Sequence, residues 1–566
     1  MTGSERLAWG TAAGVPWLFI WQGLDFSDQG YLLTGYRCFF RYPECTEDSG
    51  HMWLTNLVGA LWDALFGPLG VVGMRALWAL CLSLCMLLAL RLARALGQER
   101  AAALPMLAAS IFLSDRHMTS FSYDTLTSLL LAAAAVTLVR GLSSRRPLWL
   151  FASGALIGVA PFARFPNLLA IALVSALGLL ALLEPERRST LLPDLGRVLL
   201  GVGAGVATVL AAIVLRGDLR LYLDGVRSLF EPSMVGAGYG LGKLVRKFVT
   251  EETTALGTGL LICGAGLGLS HALRRLPSAA AWGVSLAAGA LGAYALVHFK
   301  DSWRFAVTGT SYWLLAAIVL GLGQHGVAQR VAAYVLLLVV VIAPLGSNLG
   351  IHNSHMGLWL ALPLGFALLS SSAAPTLGGQ GARLALVASL AIAGEGLARA
   401  ATYTYRDSPR TALFSSIPDP QLRAQFTTPA RARSVSEVLA ALHSRVAPGD
   451  YLLAYEGTPL LQYLTQTRPY LNRPWLMGWE RGEVVARLVV EARAKIPCLP
   501  VVVVTTKGGR SPGWPDRAGP LQERKSQQGV REVLSDFLRE NGYQPTWDNG
   551  FFQIQEPPGG SSIHCR

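Results

Sequence analysis

A succession of apolar runs, broken by short Arg-rich or turn-rich stretches, constrains this chain more than any motif in it. Runs near 7–24, 70–90, 101–114, 126–139, 148–163, 167–183, 198–215, 254–270, 279–297, 305–322, 331–345, 356–371 and 382–398 each carry enough apolar residues for a helix. A helix crossing a bilayer needs about 20 such residues, fewer when it is buried in a bundle. Inside lipid the backbone must satisfy its own hydrogen bonds, so runs of this kind fold as helices. The composition agrees: 52% of the 566 residues are hydrophobic and 15% charged, and the mean hydropathy is +0.41. The expectation is a polytopic α-helical membrane protein with about thirteen transmembrane helices. The first run follows Arg6 and is short enough for a signal peptide. No small-residue cleavage site precedes Asp25, so it is read as the first span.

The net charge of +13 is read as topology rather than nucleic-acid binding. Arg-rich stretches, "RLARALGQER", "RGLSSRR", "EPERRST" and "HALRR", fall on the same side as Arg6, and that side is cytoplasmic by the positive-inside rule. The opposite, outer side then receives "DFSDQGY", "SDRHMTSFSYD", "ARFPN", a long loop from Arg216 to Thr253, "HFKDSWRF" and "LGSNLGIHNSHM". An odd number of crossings sends the chain after about Thr402 outward as well. Residues 1–401 are therefore expected to form the membrane domain and 402–566 an outer α/β domain. In the latter, "YLLAYE" and "CLPVVVVTT" read as buried strands, and "SVSEVLAALHSRV" and "VREVLSDFLRENG" as helices. Of seven cysteines, Cys38 and Cys45 lie close together in a polar stretch on the outer side, where either a bridge or two free thiols fit. Cys81, Cys85, Cys263 and Cys498 lie in apolar stretches.

Carboxylates and cations collect on the outer side. "GLDFSDQGYLLTGYRCFFRYPEC" places Asp25 and Asp28 beside Gly30, Tyr31 and Tyr36 directly after the first span. A carboxylate held at the bilayer surface serves as a general base toward a hydroxyl, holds a metal or orients a sugar. "SDRHMTSFSYD" adds Asp115, Arg116, His117, Tyr123 and Asp124; Asp115 is assigned a structural role, whereas for Asp124 a helix cap and a substrate contact are both open and mutually compatible. Arg164 interrupts two apolar runs, which is costly for a charge without a partner or a task. Lys243, Arg246 and Lys247, and Lys300 and Arg304 around Trp303, are further cations; the first three also suit lipid headgroups. Asn348, Asn353, His352 and His355 gather before the twelfth run, where a sugar- or acceptor-contacting loop is favoured over a metal site. Acids and bases on one face suit a substrate with an anionic group and a hydroxyl-rich group, such as a lipid phosphate carrying a sugar.

On the residues "DFSDQGYLL" and "FSYDTL", and on the order of spans and outer domain, the chain resembles the GT-C superfamily of integral-membrane glycosyltransferases, and within it the family 39-like bacterial members that include aminoarabinose lipid A transferases and protein O-mannosyltransferases. The resemblance implies a GT-C fold and an inverting glycosyltransferase that takes sugar from a polyprenyl-phosphate-linked donor. It implies that Asp28 is the acid matching the family's first-loop Asp, with Asp25 and Asp124 as further catalytic candidates. Tyr31, Tyr123, Arg164, Lys243, Arg246, Lys300, Arg304, Asn348, His352 and His355 become candidate substrate contacts, with Lys and Arg side chains stabilising the departing phosphate. The family commonly has Glu after this Asp; here it is Gln29, so no metal site is assigned and a divalent-cation requirement stays open. Expected partners are the lipid-linked donor, a lipid, glycan or protein acceptor and membrane lipids. The expected location is the bacterial inner membrane with the site facing the periplasm. A transporter or flippase is the alternative, favoured by ionisable residues at the bilayer midplane; a non-catalytic envelope scaffold is a third.

Overall fold

The computed structural model describes residues 3–116, 118–230, 240–299, 302–322, 324–371, 380–455, 457–476, 482–508, 514–515, 525–558 and 565. His117 and Lys300, both singled out above, lie outside them.

Each of the thirteen apolar runs falls on helix. The first is α1 (Gly3–Gly14) with the 3-10 turn Val15–Phe19. Two helices then come where a polar loop was expected: α2 (Asp28–Arg41) and α3 (Trp53–Phe66), joined by the 3-10 segment Pro43–Met52. The membrane-type helices resume with α4 (Gly70–Ala95), α5 (Glu99–Leu113), α6 (Tyr123–Ser144), α7 (Pro147–Val159), α8 (Ser175–Leu183) and α9 (Leu191–Arg216). The expected long loop from Arg216 to Thr253 instead holds α10 (Leu219–Ser228) and the first turns of α11 (Leu241–Arg274). After these come α12 (Ser278–His298), α13 (Trp303–Val319), α14 (Val327–Ile342), α15 (His355–Ser370) and α16 (Gly381–Thr402). Among the described residues, seven helical stretches are long and apolar enough to cross a membrane, and the chain is a multi-pass membrane protein.

Burial sorts these helices. α15 is buried from His355 to Leu368, as a helix apolar on every side must be when neighbours surround it. By contrast α11 and α12 expose Leu260, Leu261, Leu267, Leu286 and Leu291, a lipid-facing pattern. Close helix contact is made by small residues. α7 carries Gly154 and Gly158, α9 carries Gly201 and Gly205, and each pair has the GxxxG spacing. A Cβ on any of the four would stand 2.0–2.3 Å from a carbonyl oxygen of the facing helix. Only glycine lets these two backbones approach so far.

After Thr402 the chain builds an antiparallel pair, β1 (Ser415–Ser416) with β2 (Phe426–Thr427), and then a five-stranded sheet. Its strands are β3 (Tyr451–Ala454), β4 (Arg468–Pro469), β5 (Val501–Thr505), β6 (Gln544–Asp548) and β7 (Phe552–Glu556), in the order β4-β3-β5-β7-β6. β4, β3 and β5 are parallel; β7 and β6 join antiparallel. Helices α17 (Pro429–His443), α18 (Leu460–Thr465), α19 (Gly482–Lys495) and α20 (Lys525–Glu540) accompany the sheet. The two strands and two helices expected here are β3, β5, α17 and α20. The disulfide is Cys498–Cys565, whereas Cys38 and Cys45 are buried free thiols. Cys498, expected only to lie in an apolar stretch, is bridged to a partner 67 residues further on.

The C-terminal part does not hang from the membrane helices as a separate bead. Phe426 forms a bridge with the exit of the first helix: its N–H donates to the Trp21 carbonyl at 2.8 Å and its carbonyl accepts from Gly23 N–H at 2.9 Å. α18 docks on α2, with Leu460 N–H donating to Phe26 C=O at 3.0 Å and Arg37 Nη1 to Tyr463 C=O at 2.6 Å.

Candidate active site

Asp25 is buried and acts as a cap. Its Oδ1 accepts from Ser27 N–H (3.0 Å) and Ser27 Oγ (2.7 Å), and its Oδ2 from Gln29 N–H (2.8 Å). These bonds tie a negative charge to the N-terminus of α2, where the helix dipole and the free amides favour it. Asp28 is the first residue of that helix. Its side chain is 24% exposed and lines a cavity of about 1610 Å³. Gln29 turns the other way, buried, with its Oε1 accepting from Arg75 Nη2 at 3.0 Å. Tyr31 sits one turn after Asp28, so both project to the cavity.

Two residues absent from the sequence-based candidates complete this corner. Tyr405 Oη donates to Asp28 Oδ2, and Arg406 Nη2 pairs with the same oxygen at 2.5 Å. Arg406 also lies 3.6 Å from Asp25 and donates to Ser27 Oγ. Burial works against its charge, but Asp25 and Asp28 together outweigh it and raise the guanidinium, which stays protonated. Burial, with Asp28 and Asp25 adding to it and Arg406 opposing, pushes the Tyr405 phenol far up, so it stays a donor.

The cavity has two characters. Phe165, Leu168, Leu169, Phe230, Leu244 and Phe248 line an apolar part. A charged and aromatic part joins Glu44, Glu47, Asp48 and His51 from the 3-10 segment to Arg473, Trp475 and the α19 residues Arg487, Glu491 and Lys495. Tyr31 and Trp475 stand at their meeting, ring centroids 6.4 Å apart. The C-terminal part thus supplies one wall of the cavity that Asp28 faces.

The other sequence candidates divide. Tyr123, Arg164 and Asn348 line the cavity. Arg164 is buried and donates to the carbonyls of Ala343 (2.9 Å) and Leu345 (3.4 Å) beyond the C-terminus of α14, which explains how a cation is tolerated between two apolar runs. Asp124 is buried in the first turn of α6 beside the lining residue Tyr123, and Ser122 is the cap of that helix. Lys243 and Arg246 are exposed on the side of α11 away from the cavity, while Leu244 and Phe248 face it; one helical phase decides this. Lys247 donates to the Asn348 carbonyl and lies 3.7 Å from Glu251. Arg304, His352 and His355 do not line the cavity. His352 instead packs edge-on to buried Trp303, and His355 Nδ1 contacts the His352 carbonyl at 2.9 Å. His352 and His355 therefore occupy a 3-10 turn and a helix start rather than an open loop.

Asp115 and Arg116 serve packing. Asp115 pairs with Arg410 at 3.2 Å and Arg116 with Glu395 at 2.9 Å, both buried. Burial pushes the Asp115 carboxyl up to about 6 in spite of Arg410. Among the described residues, no group of three His, Cys, Asp or Glu side chains is placed to hold a metal ion.

Among known proteins, no curated protein matches the chain. The crystal structure of ArnT from Cupriavidus metallidurans bound to undecaprenyl phosphate aligns over 99% of both chains, at 14% identity and a TM-score of 0.43, a level that transfers nothing to this one. Residues 51–214 match the family model described as dolichyl-phosphate-mannose-protein mannosyltransferase. Over that segment, α3 to α9, the chain is similar to the integral-membrane glycosyltransferases that its opening motif already resembled.

Proposed function

We propose that the protein is an inverting glycosyltransferase that moves a sugar from a polyprenyl-phosphate-linked donor to an acceptor hydroxyl at the periplasmic face of the bacterial inner membrane. The observation that carries the reading is the position of Asp28, at the start of a helix, facing a cavity with one apolar and one charged, aromatic part. The family matched by residues 51–214 supports the donor class, since its members are named for a polyprenyl phosphate sugar. In this reading about thirteen helices cross the membrane, residues 402–566 lie outside it, and both parts border the site.

The isoprenoid tail lies along the apolar part, and the donor phosphate meets Arg406 or Arg164. The acceptor hydroxyl stands against Asp28, with Trp475 and Tyr31 offering ring faces to sugar. The hydroxyl oxygen attacks the anomeric carbon from the face opposite the phosphate, the bond to the phosphate oxygen breaks, and the hydroxyl proton passes to the Asp28 carboxylate. Polyprenyl phosphate leaves with the bond's electron pair, its growing charge met by guanidinium. The products are the inverted glycoside and polyprenyl phosphate, and Asp28 returns its proton to water. Lys243, Arg246, Lys300, Arg304, His352 and His355 are among the candidates with no assigned step.

The test is incubation of purified protein with polyprenyl-phosphate sugars extracted from membranes, plus extracted membrane acceptors, with mass spectrometry of both pools. Appearance of polyprenyl phosphate together with a glycosylated acceptor supports the proposal. Movement of intact donor between leaflets of a proteoliposome, without cleavage, would replace it with the flippase reading.

A further inference from the structure

The turn that delivers Tyr405 and Arg406 is unusual in its backbone. Residues 404–407 close on themselves through Asp407 N–H donating to Thr404 C=O at 3.1 Å, and Arg406, the third residue, has φ +53°. A side chain other than glycine rarely adopts this left-handed geometry, which persists only where its surroundings impose it.

The surroundings here are a buried ion pair. Asp407 Oδ2 accepts from Leu24 N–H and Thr427 Oγ1, both at 2.8 Å; its Oδ1 accepts from Ser408 N–H and pairs with Arg431 Nη1, both at 2.7 Å. Arg431 comes from α17 and its side chain is fully buried. The same guanidinium donates to the carbonyls of Arg406 (3.0 Å), Leu24 (3.4 Å) and Trp514 (3.3 Å), and lies 4.1 Å from the Trp514 ring centre. One cation therefore grips two stretches at once: the one leading into Asp25 and Asp28, and the one carrying Arg406.

We propose that Arg431 is a positioning residue for the site: acting through Asp407 and the Leu24 and Arg406 carbonyls, it sets the Arg406 guanidinium against Asp25 and Asp28. Helix α17 is then a working part of the site, although it lies outside the membrane helices and touches no substrate. Its kinetic consequence rests on the transferase reading; its structural consequence does not.

The test uses full-length protein in detergent, comparing wild type, Arg431→Lys and Arg431→Met, the last also combined with Arg406→Ala. Hydrogen exchange is the readout independent of activity. Arg431→Met speeds exchange in peptides covering residues 22–30 and 404–408, and Arg431→Lys, which keeps a cation for Asp407 but not the fork, does so less. In transfer assays, per folded molecule, Arg431→Met lowers kcat by about 100-fold, the effect of a misplacement near 1 Å, with acceptor KM little changed, and Arg431→Lys recovers part of it. In an Arg406→Ala background the Arg431→Met change adds almost nothing, because both act on one interaction. If Arg431→Met fails to fold, Arg431→Lys carries both readouts. Unchanged exchange in 404–408 overturns the proposal. So does faster exchange with undiminished kcat, or full additivity with Arg406→Ala. If the wild type transfers no sugar, the transferase reading falls and the exchange data alone judge the clasp.

Discussion

Gly30 lies between Asp28 and Tyr31 in the opening motif, next to Gln29, and the structure gives it a packing task that can be measured. Here α2 meets the C-terminal α18 backbone to backbone. A Cβ built on Gly30 stands 2.2 Å from Leu460 N, 2.6 Å from Leu460 Cα and 2.8 Å from Leu460 Cβ. Relief in Gly30→Ala needs a shift of roughly 1 Å between the helices, and overpacking of this kind costs about 1–3 kcal/mol. The shift also stretches the Leu460 to Phe26 bond and the bond from Thr34 Oγ1 to Pro459 C=O, each 3.0 Å and each worth about 1 kcal/mol. Together the loss reaches about 3–5 kcal/mol, and Asp28, two residues away, moves relative to Arg406, so transfer falls by about 100-fold. Gly35→Ala is the control. It lies on the same helix with nothing within 4 Å of its would-be Cβ, so alanine there stabilises by up to about 1 kcal/mol through helix propensity. The assay is thermal unfolding in detergent, paired with transfer per folded molecule. Equal stability and activity in the two variants would show that the close approach of α2 and α18 at Gly30 has no such role.

Two further expectations follow from the site and its supports. Arg406→Ala and Arg406→Gly both remove the guanidinium and both lose transfer, but glycine tolerates φ +53° and the Gly variant is more stable by about 1 kcal/mol; a less stable Gly variant in thermal unfolding contradicts the strain argument. Asp115, with its carboxyl raised to about 6 from an ordinary 3.8, binds its proton more tightly folded than unfolded. Its contribution is therefore full below 3.8 and is lost as pH rises to about 6, a decline of about 3 kcal/mol in all. Asp115→Asn removes that slope, and a stability difference between variant and wild type that stays constant from pH 4 to 6 would rule this out.

What the sequence made legible was whatever a local pattern records. Apolar runs mark helices because burial in lipid leaves the backbone no alternative, and strands β3 and β5 announce themselves as short β-branched or apolar segments between turns. Asp28 was legible from its neighbours in the motif. Its partners were not: Tyr405 and Arg406 stand more than 370 residues away, and "TYTYRD" reads as nothing more than a polar exit from the last apolar helix. The left-handed φ of Arg406 leaves no trace in residue type, since glycine or asparagine would be expected there. The start of α2 reads as a loop in the sequence, because Asp25, Ser27 and Asp28, which begin the helix, are also the residues of a polar loop. Loop charge puts Lys243 and Arg246 on the outer side but carries no information on the helical phase that turns them from the cavity. Nor could spacing find the Cys498–Cys565 bridge, whose partners are 67 residues apart.

In the proposed reaction Asp28 takes the acceptor proton during sugar transfer. This step is tested most directly by single-turnover transfer from a labelled polyprenyl-phosphate sugar, comparing wild type with Asp28→Asn and Asp28→Glu, each shown to bind polyprenyl phosphate and to unfold near the wild-type temperature. Asp28→Asn is expected to lose the chemical step by at least about 100-fold, the range of general-base catalysis, while Asp28→Glu keeps a measurable part of it. Transfer by Asp28→Asn at the wild-type rate would remove Asp28 from the chemistry.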